Sequence, residues 1–158
     1  MTRMLLCGVA LTLLAACSLN PFQRGDSLRV LEESRYCGTP SQDSDAVFFG
    51  DSARFGDWIA YRSIEEFDAD LAADRGVLVV EMGQRPTGGY GIDLDRDKTA
   101  IEDDTLTIGM TWSAPRLDAA VSQALVAPCV VLRLPQGDYT DVRVVDQLGD
   151  VRGTATID

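Results

Sequence analysis

Every second residue from Leu106 to Trp112 is large and apolar, and Thr107, Gly109 and Thr111 stand between them. A period of two places Leu106, Ile108, Met110 and Trp112 on one face of an extended strand. The other face is left with small and hydroxyl groups, as a strand with one face in water requires. A helix would scatter the same four side chains around its circumference. This stretch therefore commits the chain to a sheet with one buried and one open face.

The rest of the chain after Gly76 follows the same rule. Val77–Met82 is a continuous apolar run, the pattern of a strand buried on both faces. Tyr90, Ile92 and Leu94 alternate with Gly91, Asp93 and Asp95. Val126–Leu134, Tyr139–Gln147 and Val151–Ile157 supply three more strands, the last two joined by Leu148-Gly149-Asp150. Before Gly76 the signals are mixed. RVLEES, AVFFG and WIAYR read as short strand-like pieces. Ser63-Ile64-Glu65-Glu66 has the form of a capping box, and Ile64, Phe67 and Leu71 follow at helical spacing. These predict one amphipathic helix over 64–74. The expected fold is mainly β, with α+β as the variant: an antiparallel sandwich or small open barrel, covered by one helix.

The chain has 158 residues, enough for one domain with a real core. Its formal charge is −11, from 14 basic and 25 acidic side chains. A surface of that sign repels phosphate backbones, and no basic stripe overrides it, so nucleic acid is not an expected partner. Histidine is absent. Ser-His-Asp, Cys-His and histidine-based zinc sites are therefore impossible within the chain. No catalytic residue, metal or cofactor is expected.

Residues 1–16 read as a bacterial lipoprotein signal. Arg3 precedes an apolar run from Met4 to Ala16 that is short for a permanent membrane helix. Leu14-Ala15-Ala16-Cys17 then resembles a lipobox, which implies cleavage before Cys17 and acylation of that cysteine. Ser18 resembles the outer-membrane-sorted case, with the protein facing the periplasm. Residues 17–27 read as a tether, and 28–158 as a single β-rich domain. Cys7 leaves with the signal, so Cys37 and Cys129 remain. In an exported protein an even pair predicts a disulfide, the alternative being two separate buried thiols.

Two acidic or polar stretches carry residue types that bear on chemistry. Asp93-Leu94-Asp95-Arg96-Asp97 begins like a calcium loop, but Lys98 and Asp104 occupy the places of the obligatory Gly and Glu. A solvated strand and hairpin is the expectation. Trp112-Ser113-Ala114-Pro115-Arg116 ends a strand and opens a polar segment, with Trp112 placed in the core by alternation; the segment is expected to be an exposed loop, a partner surface being the alternative.

Between the strands lies Gln84-Arg85-Pro86-Thr87-Gly88-Gly89-Tyr90. Pro86 presets φ for the second position of a tight turn, and Gly88 is expected to supply a positive φ. Gly89 is expected to let another backbone come close, and Thr87 to brace the turn. Tyr90 shares the apolar face of Ile92 and Leu94, so its ring should lie against the sheet. Arg85 and Thr87 are expected to project outward from an exposed loop.

GQRPTGGYGI after VLVVEM, followed by LTIGMTWSAP and PCVVLRLP, resembles the C-terminal domain of the PrcB family over about Val77–Pro135. The best motif is Pro86-Thr87-Gly88-Gly89-Tyr90. The resemblance implies a secreted or lipid-anchored, non-catalytic protein that holds or matures a protease within a bacterial protease complex. The exposed loop Arg85–Tyr90 is expected, from its own residues, to be the element that binds the protein partner. The same loop is similar to the N-P-T-T-G-Y loop of chagasin-type cysteine protease inhibitors. That likeness implies an inhibitor, although Leu134-Pro135-Gln136-Gly137 stands where that family's third loop has Arg-Pro-aromatic. A structural envelope lipoprotein without a protease link is the third reading.

Overall fold

The computed structural model describes residues 27–39 and 41–157. The signal segment, Cys17 and most of the expected tether lie outside the described residues. Among the described residues eight strands form two four-stranded sheets. The first contains β1 (Arg29–Ser34), β2 (Asp45–Phe49), β3 (Val77–Glu81) and β6 (Cys129–Arg133), in the order β1-β6-β3-β2, every neighbour antiparallel. The second contains β4 (Gly91–Glu102), β5 (Thr105–Ser113), β7 (Asp141–Val145) and β8 (Val151–Thr156), in the order β4-β5-β7-β8. One pair, β5 with β7, is parallel, so the second sheet is mixed rather than wholly antiparallel.

The two sheets pack face to face. Leu78, Val80, Val130 and Leu132 of the first meet Ile92, Leu106, Ile108, Met110, Val142 and Val144 of the second in one buried cluster. The alternation from Leu106 to Met110 is thus used as expected, with Trp112 half-buried at the cluster's rim. The two sheets also come close at one side. A Cβ on Gly153 of β8 would lie 2.6 Å from the Ala46 nitrogen of β2, so only glycine fits that contact.

The first sheet has a second core on its other face. Val77, Val79 and Val131 point there and meet Phe49, Phe55, Ile64 and Phe67. Phe49, Phe55 and Trp58 form a tight aromatic group with centroids 5.4–5.8 Å apart. Cys37 and Cys129, joined by a disulfide with Cα atoms 6.0 Å apart, belong to this layer.

The covering helix is not where the capping box placed it. Helix α1 is Ser52–Arg62, begun by Asp51, whose carboxylate accepts from the Arg54 amide at 2.9 Å. Ser63 ends this helix in a left-handed conformation (φ 54°) and donates its amide to the Ala60 and Ile59 carbonyls. The strand-like WIAYR is therefore helical, because Phe55, Trp58, Ile59 and Arg62 recur at helical spacing toward the sheet. Ile64 and Phe67 are buried all the same, but in irregular backbone. The Asp68 carboxylate takes the Asp70 amide and starts only a short 3₁₀ turn, Ala69–Ala72. Among the described residues no helix is long and apolar enough to cross a membrane.

Candidate functional site

The segment between β3 and β4 passes the chain from the first sheet to the second. Glu81 ends β3 on the helix-covered face. It is nearly inaccessible, and Arg62 reaches both its oxygens at 3.3 and 3.4 Å. Burial raises the Glu81 pKa, Arg62 opposes that rise, and Asp45 adds to it. The chain then turns at Gly83, whose φ is +81°. A Cβ there would lie 2.5 Å from the Asp43 carbonyl oxygen.

From Met82 on, the loop is fastened to residues 122–128. The Met82 amide donates to the Pro128 carbonyl at 2.8 Å, and the Gln84 amide to that of Ser41 at 2.7 Å. Arg85 and Val126 exchange two backbone bonds at 2.7 and 3.0 Å. The Gly88 amide donates to the Ser122 carbonyl at 2.9 Å. These rungs continue the β3–β6 ladder past the end of the strands, so the loop is a backbone-satisfied extension of the sheet.

Arg85 does not project outward. Its guanidinium turns in and donates to the carbonyls of Met82 (2.7 Å), Gln42 (2.8 Å) and Gln84 (3.0 Å). Three charge-assisted bonds to carbonyls in a bend make it a brace. Thr87 is half-buried and donates its hydroxyl to the Gly88 carbonyl at 3.2 Å. Gly89, not Gly88, carries the positive φ, +85°, and it also makes the closer approach, its virtual Cβ 2.9 Å from Pro115 Cβ, against 3.1 Å between that of Gly88 and Ser122 Oγ. Gly89 packs on Pro115 and Val121. Tyr90 lies against the inter-sheet core. Pro86 and Gly89 are the exposed positions of the loop.

What the sequence did not reveal is the other half of this surface. Residues 114–125 fold back beside the loop as a shoulder with no regular secondary structure. Ala114, Ala119, Ala120, Ser122, Gln123 and Ala124 are exposed, Leu117 fully so, and Leu125 at 58 %. The one acid and one base of the shoulder, Asp118 and Arg116, pair with each other at 3.3 Å. Exposed leucines in a polar-looking loop were the available signal, but their position beside Gly88 and Gly89 is a long-range fact. Trp112 is no part of this surface, since its ring packs on the core rim and Arg152 lies over it at 6.0 Å.

The Asp93–Asp97 run is part of β4, which carries a register shift between Asp95 and Ala100. Among the described residues no group of acidic or cysteine side chains is arranged to hold a metal ion.

The geometry defines a two-sheet β-sandwich whose inter-sheet crossing is a braced, glycine-containing loop. Residues 77–135, β3 through β6 with the loop and shoulder, match the model of the PrcB C-terminal family. No curated protein and no solved structure matches the chain.

Proposed function

We propose that the protein is a non-catalytic, lipid-anchored envelope component that binds another protein through the loop 84–90 and the shoulder 114–125. The observation that carries this is the shoulder's character. On a chain of charge −11 it is an electrically neutral surface with two exposed leucines, held beside a loop that is already rigid. Protein interfaces are depleted of charge at their centre, and a surface that needs no ordering loses little entropy on binding. The family match at 77–135 supports a protease complex as the kind of assembly to which the partner belongs. The lipobox supports anchoring at Cys17, and Ser18 supports the outer membrane, facing the periplasm.

The test is capture from native envelopes of the full chain against its Leu117→Asp, Leu125→Asp double variant. Both leucines are exposed, so the variant keeps its fold. The reading expects the specifically captured proteins, protease components foremost, to fall by roughly tenfold or more. A folded variant that recovers the same proteins in the same amounts overturns the surface assignment.

A further inference from the structure

The two sheets diverge beside the loop and leave a groove of about 270 Å³ between β1 and β4. Its walls are Glu33–Arg35 on one side and Tyr90–Asp93 on the other, and its floor is Pro128–Val130. Among the described residues both walls are sheet edges, since β1 pairs there with β6 alone and β4 with β5 alone.

The free backbone groups of β4 can be identified. The Trp112 amide and carbonyl bond to the side-chain amide of Gln147 at 3.0 and 3.1 Å, on the β7 side of β5. Ile92 stands opposite Trp112 in the antiparallel ladder. Opposed residues of such a ladder point their backbone groups both toward or both away from each other. The N–H and C=O of Ile92, and by the period of two those of Leu94, therefore face the open edge. Edges are ordinarily blunted by bulges and charge. Here the bulges sit at the far end, between Val30 and Glu32 in β1 and between Asp95 and Ala100 in β4. The stretch Gly91–Leu94 beside the loop keeps regular geometry.

Resting on the binding function proposed above, we infer that β4 accepts an extended segment of the partner as a fifth strand, paired to Ile92 and Leu94. The segment's chemistry follows from the pleat. A residue opposite Ile92 points inward, toward the floor made by Pro128, Cys129 and Val130, and must be apolar. A residue opposite Asp93 points outward, with Asp95 next along the same face, and must be basic. Glu33 adds a third negative charge on the facing wall, against Arg35. The occupant is a strand of alternating basic and apolar residues, a mode in which main-chain bonds give affinity and alternate side chains give specificity.

The probe is an octapeptide of alternating lysine and valine, added to the full chain, with amide hydrogen exchange read residue by residue. The Ile92 and Leu94 amides exchange fast in the free protein and slow by about tenfold or more with peptide bound. An alternating glutamate–valine octapeptide gives no protection. Asp93→Lys, an exposed position, weakens the lysine–valine peptide roughly tenfold. The inference is overturned if the lysine–valine peptide at millimolar concentration leaves Ile92 and Leu94 unprotected, if both peptides protect equally, or if Asp93→Lys binds as before. It is also overturned if the two amides become protected with protein concentration alone, which assigns the edge to a second copy. The Leu117→Asp, Leu125→Asp variant should bind the peptide normally. Failure at the edge with partner loss in that variant sinks strand addition alone, and the reverse pattern sinks the shoulder alone.

Discussion

The two sheets use the same kind of residue for different ends. The first is covered on both faces, by the second sheet and by α1, so all five residues of β3 and all five of β6 are buried. The second is covered on one face, and β7 alternates between exposed and buried positions. The contrast shows where the molecule keeps stability and where it keeps freedom to meet a partner. The disulfide, the aromatic group and the Glu81–Arg62 pair all serve the first sheet. The second presents threonines and an open edge to solvent. The braced loop joins the two.

The sharpest way to break this contrast is to remove volume from each sheet. Leu78 is inaccessible and sits between the sheets. Leu78→Ala should lose about 2–5 kcal/mol, through the lost transfer energy and the cavity left behind. Thr107 points to the open face of the second sheet, and Thr107→Ala should change stability by no more than about 0.5 kcal/mol. Urea denaturation of both variants measures the difference. Similar losses would mean that the second sheet's outer face is covered in the native protein.

A smaller effect sharpens the electrostatic side of the contrast. The folded Glu81 pKa is raised, so ionising Glu81 costs the folded state more than the unfolded one. That penalty is absent below the ordinary carboxylate range and develops as pH rises through the folded pKa. Arg62 offsets it. Arg62→Met should therefore be nearly neutral in acid and destabilising by about 2 kcal/mol at neutral pH, less than for a fully buried pair because Arg62 remains partly accessible. Denaturation midpoints across pH 3–8 read the trend. A loss independent of pH would instead assign the role of Arg62 to its packing on Trp58, 5.6 Å from the ring centroid.

How much of this was legible in the sequence depended on the range of the signal. Strands announced themselves because a period of two, or an unbroken run such as Val77–Met82, is local and repeats. The helix did not, since Asp51 caps it just after the strand-like AVFFG, and Gly56 and the aromatic residues of FGDWIAY imitate a strand. Ser63 has the same chemistry at either end of a helix, and only the buried path of Ile64 and Phe67 decided which end it closes. The parallel β5–β7 pair was hidden because β6 intervenes in sequence and leaves for the other sheet. At the loop, proline and glycine revealed a turn. Which carbonyls Arg85 reaches depends on Gln42, more than forty residues away. The shoulder's place beside Gly89 is equally non-local.

The smallest effect tests that seam between the sheets. Read locally, Pro86 followed by Gly88 suggests that Gly88 holds the left-handed conformation. In the fold Gly89 holds it, at φ +85°, and its virtual Cβ would lie 2.9 Å from Pro115 Cβ and 3.0 Å from Val121 Cγ1. Gly89→Ala must both adopt a disfavoured φ and displace the shoulder, so it should lose about 1–2 kcal/mol. Gly88 has no positive φ to preserve, and its added methyl would meet Ser122 Oγ, a side chain able to rotate away. Gly88→Ala should therefore cost little, within about 0.5 kcal/mol, because the methyl also lowers the entropy of the unfolded chain. The ordering of the two variants in thermal or urea denaturation is the measurement. If Gly88→Ala is the worse, the left-handed residue is Gly88, the shoulder does not seat on Gly89, and the surface built from loop and shoulder together loses its geometric basis.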